Sequence, residues 1–332
     1  MVIWLEFGLV TGLILFSGNR LSRYGDIIAE KTGFSRMWLG LVLMAGVTSL
    51  PELATGLSSV AWAGLPNIAA GDILGSCVFN LSLLCVLDLL SKKVPITSRA
   101  SQGNLLTAGI FLLLVSAVGI GLTAGNRLPA FGWIGLYTPL LLFGYLGAVR
   151  GIFRYEKRHP PVAGLGENGA ALYPAITLKR AVVGYIISAV VVVGAAIFLP
   201  RIANGIAEMT GLGTTFVGTI FVALSTSLPE LTVTVASFRL GAVDTAIGNL
   251  FGSNLFNMAI LAVDDLFYLK SPLLVAVDRQ QLISVMSAVA MTGLAVAGLV
   301  FRSPHKRFIL SWDTFAIFIV FVANIILLYA LR

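Results

Sequence analysis

The sequence predicts an all-α integral membrane protein of ten transmembrane helices, built as two inverted five-helix repeats with helices 2 and 7 broken. Three observations carry this expectation. Of 332 residues, 58% are hydrophobic and 11% charged, with a mean hydropathy of +0.95, too little charge to cover a soluble surface of this size. A bilayer span takes roughly 20 apolar residues at about 1.5 Å each. Ten such stretches fit, near 2–18, 37–63, 71–90, 103–123, 130–149, 180–200, 213–237, 246–267, 281–301 and 311–331. Third, TSLPEL occurs twice, at Thr48–Leu53 and Thr226–Leu231, each time inside an apolar stretch.

The formal net charge of +7 is spread over the connecting loops, which argues against nucleic acid as a partner and makes the basic residues topology markers. With the N-terminus outside, 17 of the 22 Lys and Arg fall in inside loops, leaving Arg127, Arg201, Lys270, Arg279 and Arg332 outside. The expectation is a multi-pass protein of the cell membrane with both termini extracytoplasmic. The first apolar stretch has no basic region before it, so it reads as a span and not as a cleaved signal. Cys77 and Cys85, eight residues apart on one predicted helix, cannot bridge and read as packing residues. His159 and His305 read as solvated loop residues.

The repeat is wider than one motif. IAEKTGF at 28–34 matches IAEMTGL at 206–212 at the TSLPEL offset of 178, and GDILGSCVFN at 71–80 matches GNLFGSNLFN at 248–257 at an offset of 177. The halves are residues 1–150 and 180–332. They are joined by a cytoplasmic linker, 151–179, whose RYEKRHPPVAGLGENGAALYPA is rich in Pro, Gly and charge. It is too short for a regulatory domain of ordinary size. Five spans is an odd number, so the second half enters the membrane from the opposite side, as in many secondary transporters.

Each TSLPEL places chemistry at membrane depth. Pro51 and Pro229 lack an N–H and break their helices, freeing carbonyls near Ala45 and Val47 and near Ala223 and Ser225. Such orphans are costly in lipid unless a cation or water takes them. Around the breaks stand Thr48, Ser49 and Glu52, and Thr226, Ser227 and Glu230. All offer oxygen, the ligand type of hard cations such as Ca²⁺ and Na⁺. Ser76 and Asn80 share one helix face, as do Ser253 and Asn257, and Gly75 and Gly252 admit a close backbone. A lone Ser or Thr in a membrane helix usually bonds its own backbone. A Glu there costs at least ~2.5 kcal/mol and marks a functional site, so two in symmetric positions favour ligation over packing. Asp72 reads as the N-cap of a helix opening after Pro66–Gly71, with Asn249 as its counterpart, in preference to a role at an outer cation entrance. Asp88, Asp264 and Asp265 read as interfacial residues near span ends.

TSLPE followed by GSxxxN in both halves resembles the α-repeats of the cation/Ca²⁺ exchanger superfamily, most closely its Na⁺/Ca²⁺ exchanger branch. The resemblance covers both repeats and the ten-span plan. It implies that Glu52 and Glu230 are the central Ca²⁺ ligands. Thr48, Ser49, Thr226, Ser227, Ser76, Ser253, Asn80 and Asn257, with the carbonyls of Ala45 and Ala223, would complete the Ca²⁺ and Na⁺ sites. It also implies that both ions are transported substrates, with no organic cofactor and no enzymatic activity. Val47 and Ser225 stand where the family usually has Gly before the Thr. Asn257 stands where the K⁺-dependent branch has Asp, which points to K⁺ independence.

Glu52 and Glu230 supply two negative charges, and Asn80 and Asn257 add none. One Ca²⁺ or two Na⁺ neutralise that set, and a third Na⁺ leaves a positive charge, so the expected exchange is electrogenic. Small residues on span 1 (Gly8, Gly12, Ser17, Gly18) and span 6 (Gly184, Ser188, Gly194) would let these spans slide during alternating access. The rival reading is a H⁺/Ca²⁺ antiporter using the same carboxylates. A channel needs a continuous polar pore, and an intramembrane protease needs a Ser–His or Asp pair in the membrane. The expected partners are Ca²⁺, Na⁺ and the lipid bilayer, with a monomer as the working oligomeric state.

Overall fold

The computed structural model describes residues 2–32, 45–91, 93–158, 175–306 and 308–331. The chain is mostly helical, as expected of long Leu-, Val-, Ile- and Ala-rich runs that must satisfy their backbone internally. Among the described residues, seven helices are long and apolar enough to cross a membrane. They are α1 (Val2–Thr32), α4 (Pro66–Leu90), α5 (Gln102–Ala124), α7 (Leu178–Thr210), α11 (Val243–Phe267), α13 (Gln281–Phe301) and α14 (Trp312–Ala330). An eighth span-length unit is bent by 44° at Ser227: it runs from Thr214 to Thr226 and continues as α10 (Leu228–Arg239). Its first arm consists of α8 (Thr214–Val217), a π-helical turn (Gly218–Val222) and α9 (Ala223–Thr226).

The expected span 37–63 begins outside the described residues. From Ala45 it comprises α2 (Ala45–Thr48), an interruption at Ser49, α3 (Leu50–Ser58) and a π-helical turn (Ser59–Ala63). The expected span 130–149 is displaced. Residues 130–135 form a small antiparallel hairpin of β1 (Ala130–Phe131) and β2 (Ile134–Gly135), turned by Gly132 at φ 66°. The helix, α6, runs from Tyr137 to Arg158. Its last turns carry Arg150, Arg154, Lys157 and Arg158, good helix formers that extend it into the stretch read as linker. His159 and residues up to 174 lie outside the described residues. A short helix, α12 (Leu273–Ala276), precedes α13.

Helices α4 and α11 run through the centre and pack against each other. Both are buried nearly all round, as an all-round apolar helix requires. Helices α1 and α7 lie side by side on the flank and turn Leu5, Leu9, Leu13, Ile186, Ile187 and Val190 outward, an apolar exterior suited to lipid. Of the small residues on these two helices, Gly18 sits against the Pro229 ring and Gly184 against the Tyr24 ring. Gly8, Gly12 and Gly194 face open space.

Asp88, Asp264 and Asp265, expected near the interface, are all fully buried within the protein. Asp88 accepts from the Ile96 N–H (2.9 Å), the Ser311 N–H (2.8 Å) and hydroxyl (3.1 Å), and the Thr314 hydroxyl (2.9 Å), and it pairs with Lys306 (2.9 Å). Asp265 accepts from the Leu273 N–H (2.6 Å), the Gly135 N–H (2.9 Å) and the Tyr137 and Thr138 hydroxyls. The two sets correspond. Each Asp closes its own loop eight residues on and holds the N-terminal end of a helix from the opposite half: α14 for Asp88, α6 for Asp265. Orphan donors at a helix start need acceptors, and in a membrane protein a buried carboxylate supplies them.

Candidate cation site

The two interruptions are alike in backbone geometry. Ser49 (φ −87°, ψ 15°) and Ser227 (φ −89°, ψ 5°) both lie in the bridge region, and each is followed by a helix with Pro at its second position. Proline is tolerated in a first turn because its missing N–H has no intrahelical partner there. Pro51 and Pro229 therefore leave the carbonyls of Val47 and Ser225 without their usual helical donors. The Ala223 carbonyl is not freed in the sense the sequence implied: it accepts the Ser227 N–H at 3.0 Å. Ala45 opens α2, one turn ahead of Ser49.

The hydroxyls of each break reach the carboxylate of the other. Ser49 donates to Glu230 Oε1 at 3.0 Å, and Ser227 donates to Glu52 Oε1 at 3.0 Å. Ser76 lies 3.4 Å from Glu52 Oε1 and 2.8 Å from the Ser227 hydroxyl. Thr48 and Ser253 hydroxyls are 3.5 Å apart, matching Ser76 and Thr226 at 3.5 Å. Thr48, Ser49, Glu52, Ser76, Asn80, Thr226, Ser227, Glu230, Ser253 and Asn257 are thus brought into one region, and each is at most 1% exposed. Glu52 Oε2, Glu230 Oε2, Asn80 Oδ1 and Asn257 Oδ1 have no hydrogen-bond partner among the described residues. Buried polar groups are normally paired, so this convergence of unpaired oxygens suits a hard cation.

The amides are held by neighbours that sequence reading passed over. Asn80 donates to Asn254 Oδ1 (3.1 Å), Asn254 donates to the Cys77 carbonyl (3.2 Å), and Asn257 donates toward Cys77 Sγ (3.7 Å). With their N–H groups engaged, Asn80 and Asn257 keep carbonyl oxygens to offer. Residues 77 and 254 are counterparts at the 177 offset, which is the signal that could have found them. At Gly75, an added Cβ would lie 2.7 Å from Ala223 Cβ and 2.8 Å from the Thr219 carbonyl carbon, so α4 passes this close to α9 only because residue 75 has no side chain.

Asp72 is no N-cap. Helix α4 starts at Pro66, and Asp72 lies in its second turn, fully buried. It accepts from the Thr226 hydroxyl at 2.7 Å, while its Oδ2 is unpartnered among the described residues. It stands four residues before Ser76, on the face that also bears Asn80. Its counterpart Asn249 donates to the Thr234 hydroxyl at 3.2 Å. Among the described residues, no three His, Cys, Asp or Glu form a metal-holding group by themselves, so neutral oxygens must complete any ion site here.

This arrangement defines a class: helical membrane proteins that bury paired carboxylates among hydroxyl and amide oxygens at interrupted helices. The family model described as sodium/calcium exchanger protein matches residues 2–148 and 180–330, and the chain belongs to that family. It is similar to the sodium/calcium exchanger MaX1 of Methanosarcina acetivorans, 27% identical with 97% of each chain covered. It is also similar to the inner membrane protein YrbG of Escherichia coli strain K12, 26% identical over 76% of each chain. A solved structure of the sodium-calcium exchanger NCX_Mj shares the fold, with a TM-score of 0.63 and 22% identity over 98% of each chain.

Proposed function

We propose that the chain is a secondary active antiporter that exchanges Na⁺ for Ca²⁺ by alternating access, with Glu52 and Glu230 as the central Ca²⁺ ligands. The reciprocal bonding of the two breaks carries this reading. Each carboxylate keeps one oxygen on the opposite break's serine and leaves the other without a partner among the described residues, so both repeats are needed to make one site. Thr48, Ser49, Thr226, Ser227, Ser76, Ser253, Asn80, Asn257 and the carbonyl of Ala45 complete the ligand set, and the Ala223 carbonyl joins it only by giving up a hydrogen bond it now accepts. Two carboxylates balance one Ca²⁺ or two Na⁺. Because the same oxygens serve both ions, the two loads exclude each other, and that exclusion is what couples their fluxes. Exchange of more than two Na⁺ per Ca²⁺ moves net charge, and Asn257 in place of a third carboxylate favours K⁺ independence. The wider plan is ten spans in two inverted repeats, 1–150 and 180–332, with broken spans 2 and 7, a cytoplasmic linker and both termini extracytoplasmic. The name of MaX1 and the family description support Na⁺ as the coupling ion.

The test is ⁴⁵Ca²⁺ uptake into proteoliposomes under imposed Na⁺, K⁺ or H⁺ gradients, with and without a membrane potential. The expected result is uptake driven by outward Na⁺, unaffected by K⁺ and altered by voltage. Uptake that follows a pH gradient and ignores Na⁺ would replace this reading with H⁺/Ca²⁺ antiport.

A further inference from the structure

Of the buried acids beyond the central set, one has no donor at either oxygen among the described residues. Asp264 is fully buried, and neither of its carboxylate oxygens has a hydrogen-bond partner among the described residues. Its neighbour Asp265 turns the other way, into the clamp on α6. At about 100° per residue, Asn249, Ser253, Asn257 and Asp264 fall within roughly 80° of arc on α11. Asp264 therefore continues the face that bears Ser253 and Asn257, roughly 10 Å further along the helix. In the first half, position 87 is Leu, so the repeat does not account for this carboxylate.

Asp264 packs against the segment that carries Glu52. Its carboxylate rests on Gly56: a Cβ built there would lie 2.6 Å from Oδ1 and 2.8 Å from Cγ. Gly56 follows Glu52 by one helical turn. On the same side of this segment stand Thr55 and Ser59, both buried, with hydroxyl oxygens that have no partner among the described residues. Ser59 opens the π-helical turn Ser59–Ala63, a feature often found at functional positions. A buried carboxylate without donors is paired, holds a metal ion or carries a proton. With the carboxylate ionised, it and two hydroxyls, none bonded to another, provide one negative charge and several hard oxygens. One monovalent cation neutralises that set, whereas a divalent ion would leave an excess positive charge.

We infer that Asp264, Thr55 and Ser59 form a second cation site for one Na⁺, set one to two helical turns from the Glu52 and Glu230 pair and distinct from it. Its location on the Glu52 face of α3 makes it a holding point on the path of ions to or from the centre. This goes beyond the exchange reading, because the site stands on its own carboxylate.

The test is ²²Na⁺ binding to purified full-length protein in detergent, with ⁴⁵Ca²⁺ binding to the unaltered protein measured alongside. In the Glu52→Gln/Glu230→Gln variant, one bound ²²Na⁺ per chain is expected to persist, and adding Asp264→Asn is expected to remove it. Gly56→Ala in the same background pushes a methyl into the carboxylate and is expected to weaken that ion about tenfold or more, a shift near 1.4 kcal/mol. This variant decides the matter if Asp264→Asn does not fold. The proposal is overturned if the doubly neutralised protein binds no ²²Na⁺, as it would if Asp264 simply carried a proton. It is also overturned if the residual ion survives Asp264→Asn or Gly56→Ala in protein that elutes normally on size exclusion. Absence of ⁴⁵Ca²⁺ binding to the unaltered protein would count against the central site alone.

Discussion

Replacing Glu52 with Gln isolates charge from shape. The side chain is fully buried; its Oε1 takes Ser227 at 3.0 Å and Ser76 at 3.4 Å, and its Oε2 has no partner among the described residues. Gln is nearly isosteric and keeps an oxygen for both hydroxyls, so the hydrogen bonds at Oε1 survive. What disappears is one of the two negative charges proposed to face the ion. Removing one partner of a buried charge pair costs about 3–5 kcal/mol, and each 1.4 kcal/mol is a factor of ten. Apparent Ca²⁺ affinity should therefore fall roughly 10²- to 4 × 10³-fold. Glu230→Gln should match it within a few-fold, because Ser49 serves Glu230 as Ser227 serves Glu52. The double variant should be less than additive, since losing the first charge already leaves Ca²⁺ unneutralised. Equilibrium ⁴⁵Ca²⁺ binding measures all three. A Glu52→Gln protein that elutes normally and binds Ca²⁺ within threefold of the unaltered chain would refute the assignment of the central carboxylates.

Two further substitutions probe the frame around the site. Gly75→Ala forces a methyl to 2.7 Å from Ala223 Cβ; overpacking of this kind costs about 1–3 kcal/mol and should lower the unfolding temperature in detergent while also weakening ⁴⁵Ca²⁺ binding. Asp265→Ala strands the Leu273 and Gly135 N–H groups and the Tyr137 and Thr138 hydroxyls. Each buried orphan costs about 1–3 kcal/mol, so this variant should unfold at a much lower temperature than one altered at an outward-facing residue such as Leu9→Ala.

Much of the molecule could be read from residues in order. The apolar stretches, the duplicated TSLPEL and the i, i+4 pairs Ser76/Asn80 and Ser253/Asn257 follow from period and spacing, which are local properties. Glutamates in apolar segments announce themselves because lipid penalises charge. Span 130–149 was misplaced for the same reason in reverse: its aromatic and Gly-rich start is apolar enough to resemble a helix, yet Gly132 turns it into a hairpin. The charged turns that follow, out to Arg158, continue the helix because Arg and Lys are good helix formers.

The acids near the helix ends were beyond such reading. From sequence alone, Asp72 could cap a helix and Asp88, Asp264 and Asp265 could face the interface, since local pattern says nothing about what packs against an end. Tertiary structure decided that Asp88 and Asp265 hold the starts of α14 and α6, that Asp72 takes Thr226, and that Asp264, beside Gly56, has no donor among the described residues. Adjacent aspartates thus came to opposite roles, one saturated and one bare, because a rotation of about 100° per residue points them at different neighbours. Sequence by itself determined the membrane class, the repeat and which oxygens stand at each break. Only the three-dimensional packing brought each serine to the opposite carboxylate, because those bonds join residues more than 170 positions apart, and no local preference specifies a contact at that range.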